Sequence, residues 1–213
     1  MQLRAPAYPL ITVDPYFSVW SPSNKLNESN TVHWTNSPNT ISGIATVDGK
    51  KYRVIGSAAS DIPAMKQVSS NCTAFSTVYT FEDSGVRLTL TFSTPLLITD
   101  LALISRPVSY LEIKKDSIDG KRHEVKFELS VYEEICINLL KEEAVECELI
   151  DLGNLKSEKR KNRLKGSKDP LPIGRRRPHQ LGLLLSHNKR GGLDIRAEGR
   201  IGRFCHKHGR RYR

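Results

Sequence analysis

The 213-residue chain has little of what usually announces a chemistry. Its four cysteines, Cys72, Cys136, Cys147 and Cys205, are scattered and include no C-x-x-C pair. That excludes a disulfide scaffold and, apart from Cys205-His206-Lys207-His208, any spacing suited to zinc. No apolar run approaches the ~18 residues of a membrane helix. The first residues lack a charged segment followed by an apolar one, so no signal peptide is visible. Residues 1–155 offer no phosphate-binding loop, metal cluster, or set of nucleophile, base and orienting group. No amphipathic helical pattern precedes residue 138, and no internal repeat is present. No cofactor, metal or membrane partner is expected.

Negative charge is scarce in the last part of the chain only. Residues 1–150 hold 14 Lys/Arg against 18 Asp/Glu, and residues 151–213 hold 19 against 5. The pI near 9.5 therefore belongs to the tail alone. The mildly acidic front part carries no signal for a polyanion partner.

What is present is strand pattern. Ile41–Val47 and Tyr52–Ile55 flank Asp48-Gly49, a hairpin signal, since type I′ turns need positive φ at both central residues. Phe75–Phe81 and Val86–Phe92 flank Glu82-Asp83-Ser84-Gly85. Val86, Leu88, Leu90 and Phe92 share one face, and Arg87, Thr89 and Thr91 the other. Val108–Lys114 and Glu124–Val131 flank a loop with Asp119-Gly120. Val125, Phe127, Leu129 and Val131 again share a side. Three consecutive hairpins predict an all-β fold, an antiparallel β-sandwich, over residues 1–155. Residues 139–149 suit one short helix or a further strand. Residues 156–213 are expected to be an irregular or disordered basic tail.

The densest stretch is Pro9-Leu10-Ile11-Thr12-Val13-Asp14-Pro15-Tyr16-Phe17-Ser18-Val19-Trp20-Ser21, followed by His33-Trp34-Thr35. With Val47-Asp48-Gly49-Lys50, Ser105-Arg106-Pro107-Val108, Asp119-Gly120-Lys121 and His123-Glu124-Val125, it resembles the glutaminase A family of fungal enzymes and bacterial relatives. The resemblance covers roughly residues 3–155 and supplies no catalytic residue in the opening run. It implies an exported, secreted or periplasmic, multidomain parent. In such a parent an N-terminal β-sandwich region leads to a C-terminal helical toroid like those of glycoside-processing enzymes. The activity it implies is hydrolysis of the glutamine side-chain amide to glutamate and ammonia. This chain would then be a truncated front portion, inactive alone. Its partners would be the toroid of the same parent and a small amide or sugar substrate.

The tail departs from the family, which continues with Gly-Asp-Asp, three residues, then Trp-Gly-Tyr-x-Tyr-Leu. Here Gly174-Arg175-Arg176-Arg177-Pro178-His179-Gln180-Leu181-Gly182-Leu183-Leu184-Leu185 stands instead. Arg175 to Gly192 can be encoded so that reading one base later gives GDDHINWGYFYLTTKEE, which restores the pattern. Residues from about 170 onward are therefore expected to be a frameshifted product. Basic clusters such as Lys159-Arg160-Lys161 and Arg175-Arg176-Arg177 also suit nonspecific nucleic-acid binding. Only Phe204 and Tyr212 are there for base stacking, so no specific nucleic-acid partner is expected.

Asp14, Tyr16, Trp20, His33 and Trp34 are the candidate substrate or domain-interface residues, because aromatic platforms beside a carboxylate suit sugars and amides. Their alternative role is to pack and hydrogen-bond the start of the sandwich. An accessory module binding carbohydrate or protein is the rival to the hydrolase portion. His123 is expected to be solvated in a turn. Cys72, Cys136 and Cys147 read as buried small apolar groups, and Glu133-Glu134 and Glu142-Glu143 as solvated strand residues.

Overall fold

A computed structural model describes residues 5–15, 17–106, 108–135, 144–151, 155–163 and 181–186, the last three segments as backbone strands. The described chain is built almost wholly from antiparallel strands. The first pair is β1 (Tyr8–Thr12) with β2 (Ser18–Ser21). Then come β3 (Ile41–Val47), β4 (Lys50–Ile55), β5 (Gln67–Cys72), β6 (Ser76–Asp83) and β7 (Val86–Ser93). A single helical turn, α1 (Leu101–Ile104), precedes β8 (Tyr110–Ser117) and β9 (Val125–Val131). The last strands are β10 (Ala144–Asp151), β11 (Leu155–Arg163) and β12 (Leu181–Ser186).

Two sheets form the sandwich-like body. One has the order β4-β3-β9 and the other β5-β6-β7-β8. Their alternating strands bury one side each, and the buried residues of both belong to one hydrophobic cluster. Ala45, Val47, Val54, Ile55 and Phe127 enter it from the first sheet; Tyr79, Phe81, Leu88, Leu90 and Phe92 enter from the second. The face predicted for β7 is buried at Val86, Leu88, Leu90 and Phe92, while Arg87 is exposed. Tyr79 meets Tyr8 and Phe92 edge-on, with ring centroids 6.3 Å away in both cases.

Two expected hairpins hold. Asp48 and Gly49 have φ of 48° and 83°, and Ser84 and Gly85 have φ of 48° and 76°. Both pairs are thus two-residue turns with positive φ throughout, the twist that suits right-handed strands. The third expected hairpin does not form. β8 pairs with β7, whereas β9 pairs with β3 in the other sheet. The Asp119-Gly120 loop is a crossover between layers; each flanking strand finds a longer ladder elsewhere than with the other.

Three further strands were not evident in the pattern. β1 and β2 are short, and β2 buries three of its four residues, so it does not alternate. β5 is an edge strand with five exposed residues of six. Cys72 ends it and is exposed, with its sulfur accepting from the Thr77 hydroxyl at 3.5 Å, contrary to the expected burial. An edge strand wet on both faces has no interior to offer it.

The segment 139–149 resolves as β10 from Ala144, and residues 139–143 lie outside the described residues. β10 pairs with β11 across residue 155, the expected boundary, and β11 pairs with β12. The expected irregular tail is therefore interrupted by two strands. The apolar run Leu183-Leu184-Leu185 suits a strand whatever its origin. Glu133 and Glu134 lie in a 3-10 turn, Glu133–Ile135, rather than a strand. Cys136 and Glu142-Glu143 lie outside the described residues, and so do the Phe204, Tyr212 and Arg175–Arg177 positions.

Candidate functional site

The β1–β2 loop and the turn at residues 33–37 meet at the Pro15 carbonyl. Asp14 shapes the loop, its Oδ1 accepting the Phe17 N–H at 2.8 Å. This is the local bond by which Asp closes turns on its own backbone. Proline fixes φ at position 15 and offers the loop a carbonyl without a backbone donor. The Trp34 indole N–H donates to that oxygen at 2.6 Å, and His33 Nε2 lies 3.2 Å from it.

The other side of the imidazole is also engaged. His33 Nδ1 accepts the Thr35 N–H at 3.2 Å and lies 2.8 Å from the Thr35 hydroxyl. An acceptor at Nδ1 requires the proton on Nε2, which then donates to Pro15. His33 is 1% exposed, so both ring nitrogens serve a buried structural knot. The Asn36 N–H donates to the His33 carbonyl at 2.8 Å, and Asn36 takes a φ of 67°, which asparagine tolerates.

Trp34 differs from its neighbour. Its ring is 61% exposed, lies 5.5 Å from the His33 ring, and has its only donor already tied down. An aromatic face is thus presented to its surroundings at a fixed angle. Trp20 sits on β2, where its backbone exchanges hydrogen bonds with Val32 at 2.7 and 2.9 Å. Its indole N–H is buried and finds no acceptor among the described residues. Of the five candidates, then, Asp14, His33 and Trp34 are brought to one place, Trp20 is held by its strand, and Tyr16 lies outside the described residues.

Sequence reasoning missed a second cluster. His123 is not solvated: its Nδ1 is 2.6 Å from Asp48 Oδ2 and its Nε2 is 2.9 Å from Asp119 Oδ1. The hydrogen bonds that His123 donates to Asp48 and Asp119 hold the imidazole above its usual range of protonation. The bonds from His123 and from the Lys121 N–H hold Asp119 down to about 2. Asp48 is lowered by His123 and by the Glu124 N–H. Asp48-Gly49 and Asp119-Gly120 were legible only as turns, since no local signal joins residues 75 apart.

Several large apolar residues are exposed along the connection from β7 to the start of β8. Leu97, Ile98, Leu101, Val108 and Tyr110 are exposed there. Phe75 is also exposed, and its carbonyl accepts the N–H of Thr94, three residues before Leu97, at 3.2 Å. Single exposed apolar residues are ordinary, whereas several within fourteen positions are a departure from the rest of the described surface. Among the described residues, no helix is long and apolar enough to cross a membrane.

Residues 1–67 match the model of a domain of unknown function, DUF4964, and residues 75–147 match that of another, DUF5127. The chain is also 30% identical over 131 residues to Glutaminase A of Aspergillus oryzae, an alignment covering 58% of this chain. It spans only 19% of the length of that relative. No solved structure matches. The two domain matches fall on the segment that carries the two sheets, and the alignment makes this chain similar to a part of that glutaminase A.

Proposed function

We propose that this chain is the non-catalytic β-sandwich portion of an exported glutaminase-like amide hydrolase, and that its role is to hold the catalytic remainder of that protein. One observation carries the reading. Asp14 and His33 are spent on structure: Asp14 closes a turn, and both His33 nitrogens bind backbone or a neighbouring hydroxyl. A nucleophile or base needs a group left free for the substrate. The apolar connection between β7 and β8, and the exposed Trp34 ring, are the surfaces on which the remainder docks. In the parent, the activity is hydrolysis of glutamine to glutamate and ammonia, in a secreted or periplasmic setting.

A second reading rests on Trp34 alone. A rigid indole face with its donor satisfied suits stacking on a sugar ring, so an accessory carbohydrate-binding module is the alternative.

The proposal includes a loss of register from about residue 170 onward. β11 precedes that point and β12 follows it. In the displaced register, Leu181–Ser186 would read Trp-Gly-Tyr-Phe-Tyr-Leu, also an apolar, strand-forming run. A strand at this place is thus compatible with either register. Sequencing the gene through codon 213 tests the displacement. The codons from 175 to 192 are expected to contain GDDHINWGYFYLTTKEE one base on. Codons that cannot yield that string would remove the frameshift from the account.

A further inference from the structure

Three loops converge at one end of the sandwich. The β3–β4 turn supplies Asp48, the β8–β9 crossover supplies Asp119 and His123, and the β6–β7 turn supplies Gly85. The fit is close: a Cβ on Gly85 would lie 2.5 Å from Asp119 Oδ2 and 2.9 Å from His123 Nε2. The same end carries a hydroxyl pair, Tyr52 to Ser84 at 2.6 Å, joining β4 of one sheet to the β6–β7 turn of the other. The Ile118 N–H also donates to the Gly85 carbonyl at 2.9 Å.

The chemistry of the cluster follows from what each group can do. An ionised carboxylate only accepts, so a ring nitrogen facing one must carry a proton. His123 faces a carboxylate oxygen from each nitrogen, at 2.6 and 2.9 Å, and its side chain is only 11% exposed. Only the imidazolium satisfies both. Losing a proton leaves a lone pair pointed at an anion.

We infer that Asp48, His123 and Asp119 form a proton-dependent latch that fastens the β3–β4 turn of one sheet to the β8–β9 crossover, over the β6–β7 turn of the other. Among the other charges at this end, Lys50, Lys121 and Arg122 are exposed on or beside the same loops, and Arg87 pairs with Glu82 at 2.7 Å. Glu124 pairs with Lys126 at 3.0 Å, and Asp83 accepts from the Ser84 hydroxyl at 3.2 Å. Gly85 presents backbone, and Tyr52 and Ser84 are neutral hydroxyls.

The pH window follows from the direction of each shift. The latch histidine is raised above 6.5, so its contribution is complete below 6.5 and is lost as pH rises through the higher folded value. The aspartates are lowered from 3.8, so their contribution is complete above 3.8 and is lost on acidification, at about 2 for Asp119. The latch is tightest between these limits, in mildly acidic surroundings.

The test is an NMR titration of the His123 ring protons in the intact chain, with urea melts across about pH 5 to 9. His123 is expected to titrate above 6.5, and stability to fall as pH rises through its transition. His123→Asn should flatten that fall. Asp119→Asn retains the ring and should bring its titration down, which decides the matter if the first variant fails to fold. Titration of His123 at or below 6.5, or an undiminished pH slope in His123→Asn, would overturn the latch.

Discussion

Phe81→Ala should lower the stability of the folded body by about 3–5 kcal/mol, the cost of an unfilled aromatic site in a close-packed core. Phe81 is 0% exposed and sits opposite Leu88, the third pair of the β6–β7 ladder from its turn. The loss is large against a typical total of about 5–15 kcal/mol. In urea, the midpoint should fall while the slope of the transition stays unchanged, as for loss of stability without change in exposed surface. A cost below about 1 kcal/mol would mean that the two sheets do not pack around this ring.

Placing two charges on the apolar connection should act quite differently. Ile98 is 80% exposed and Leu101 is 77% exposed, so Ile98→Asp with Leu101→Asp should change the isolated chain by no more than ~0.5 kcal/mol. In association with the separately produced remainder of a longer glutaminase A-like protein, the same pair is expected to weaken binding on the order of a thousandfold. That corresponds to about 2 kcal/mol at each of two central interface residues. Calorimetric titration of the two halves checks it. Undiminished binding by the double variant would move the docking surface elsewhere, with Trp34 the next place to look.

Much of the body was legible because its strands obey a simple period. Val86 to Phe92 alternate without exception, and the Asp48-Gly49 turn needs a backbone that few other pairs supply. Partner choice was not legible. β8 and β9 carry a hairpin's loop signal, yet each joins a different sheet, and that outcome depends on ladders formed with β7 and β3. Alternation says which side of a strand is buried and not which strand lies beside it. β5 escaped notice because Val68, Ser69, Ser70 and Asn71 are all exposed, leaving no alternation to read.

The candidate site shows the same division. The cost of two aromatics beside proline and histidine pointed to residues 14–34 as a specialised place. Only the geometry revealed that Pro15 contributes a carbonyl on which His33 and Trp34 both converge. His123 was misread for a related reason. Its partners are Asp48, far away in the chain, and Asp119, whose neighbouring Gly120 advertised nothing beyond a turn. Long-range electrostatic pairs leave no local trace in composition or period.

Ammonia release from glutamine, measured side by side for this chain and for the gene read one base on from codon 175 and continued beyond codon 213, puts the division of labour to the test. The extended protein is expected to hydrolyse glutamine and this chain to release no ammonia above the uncatalysed rate. Turnover by the 213-residue chain alone would contradict a purely supporting role for its β-sandwich.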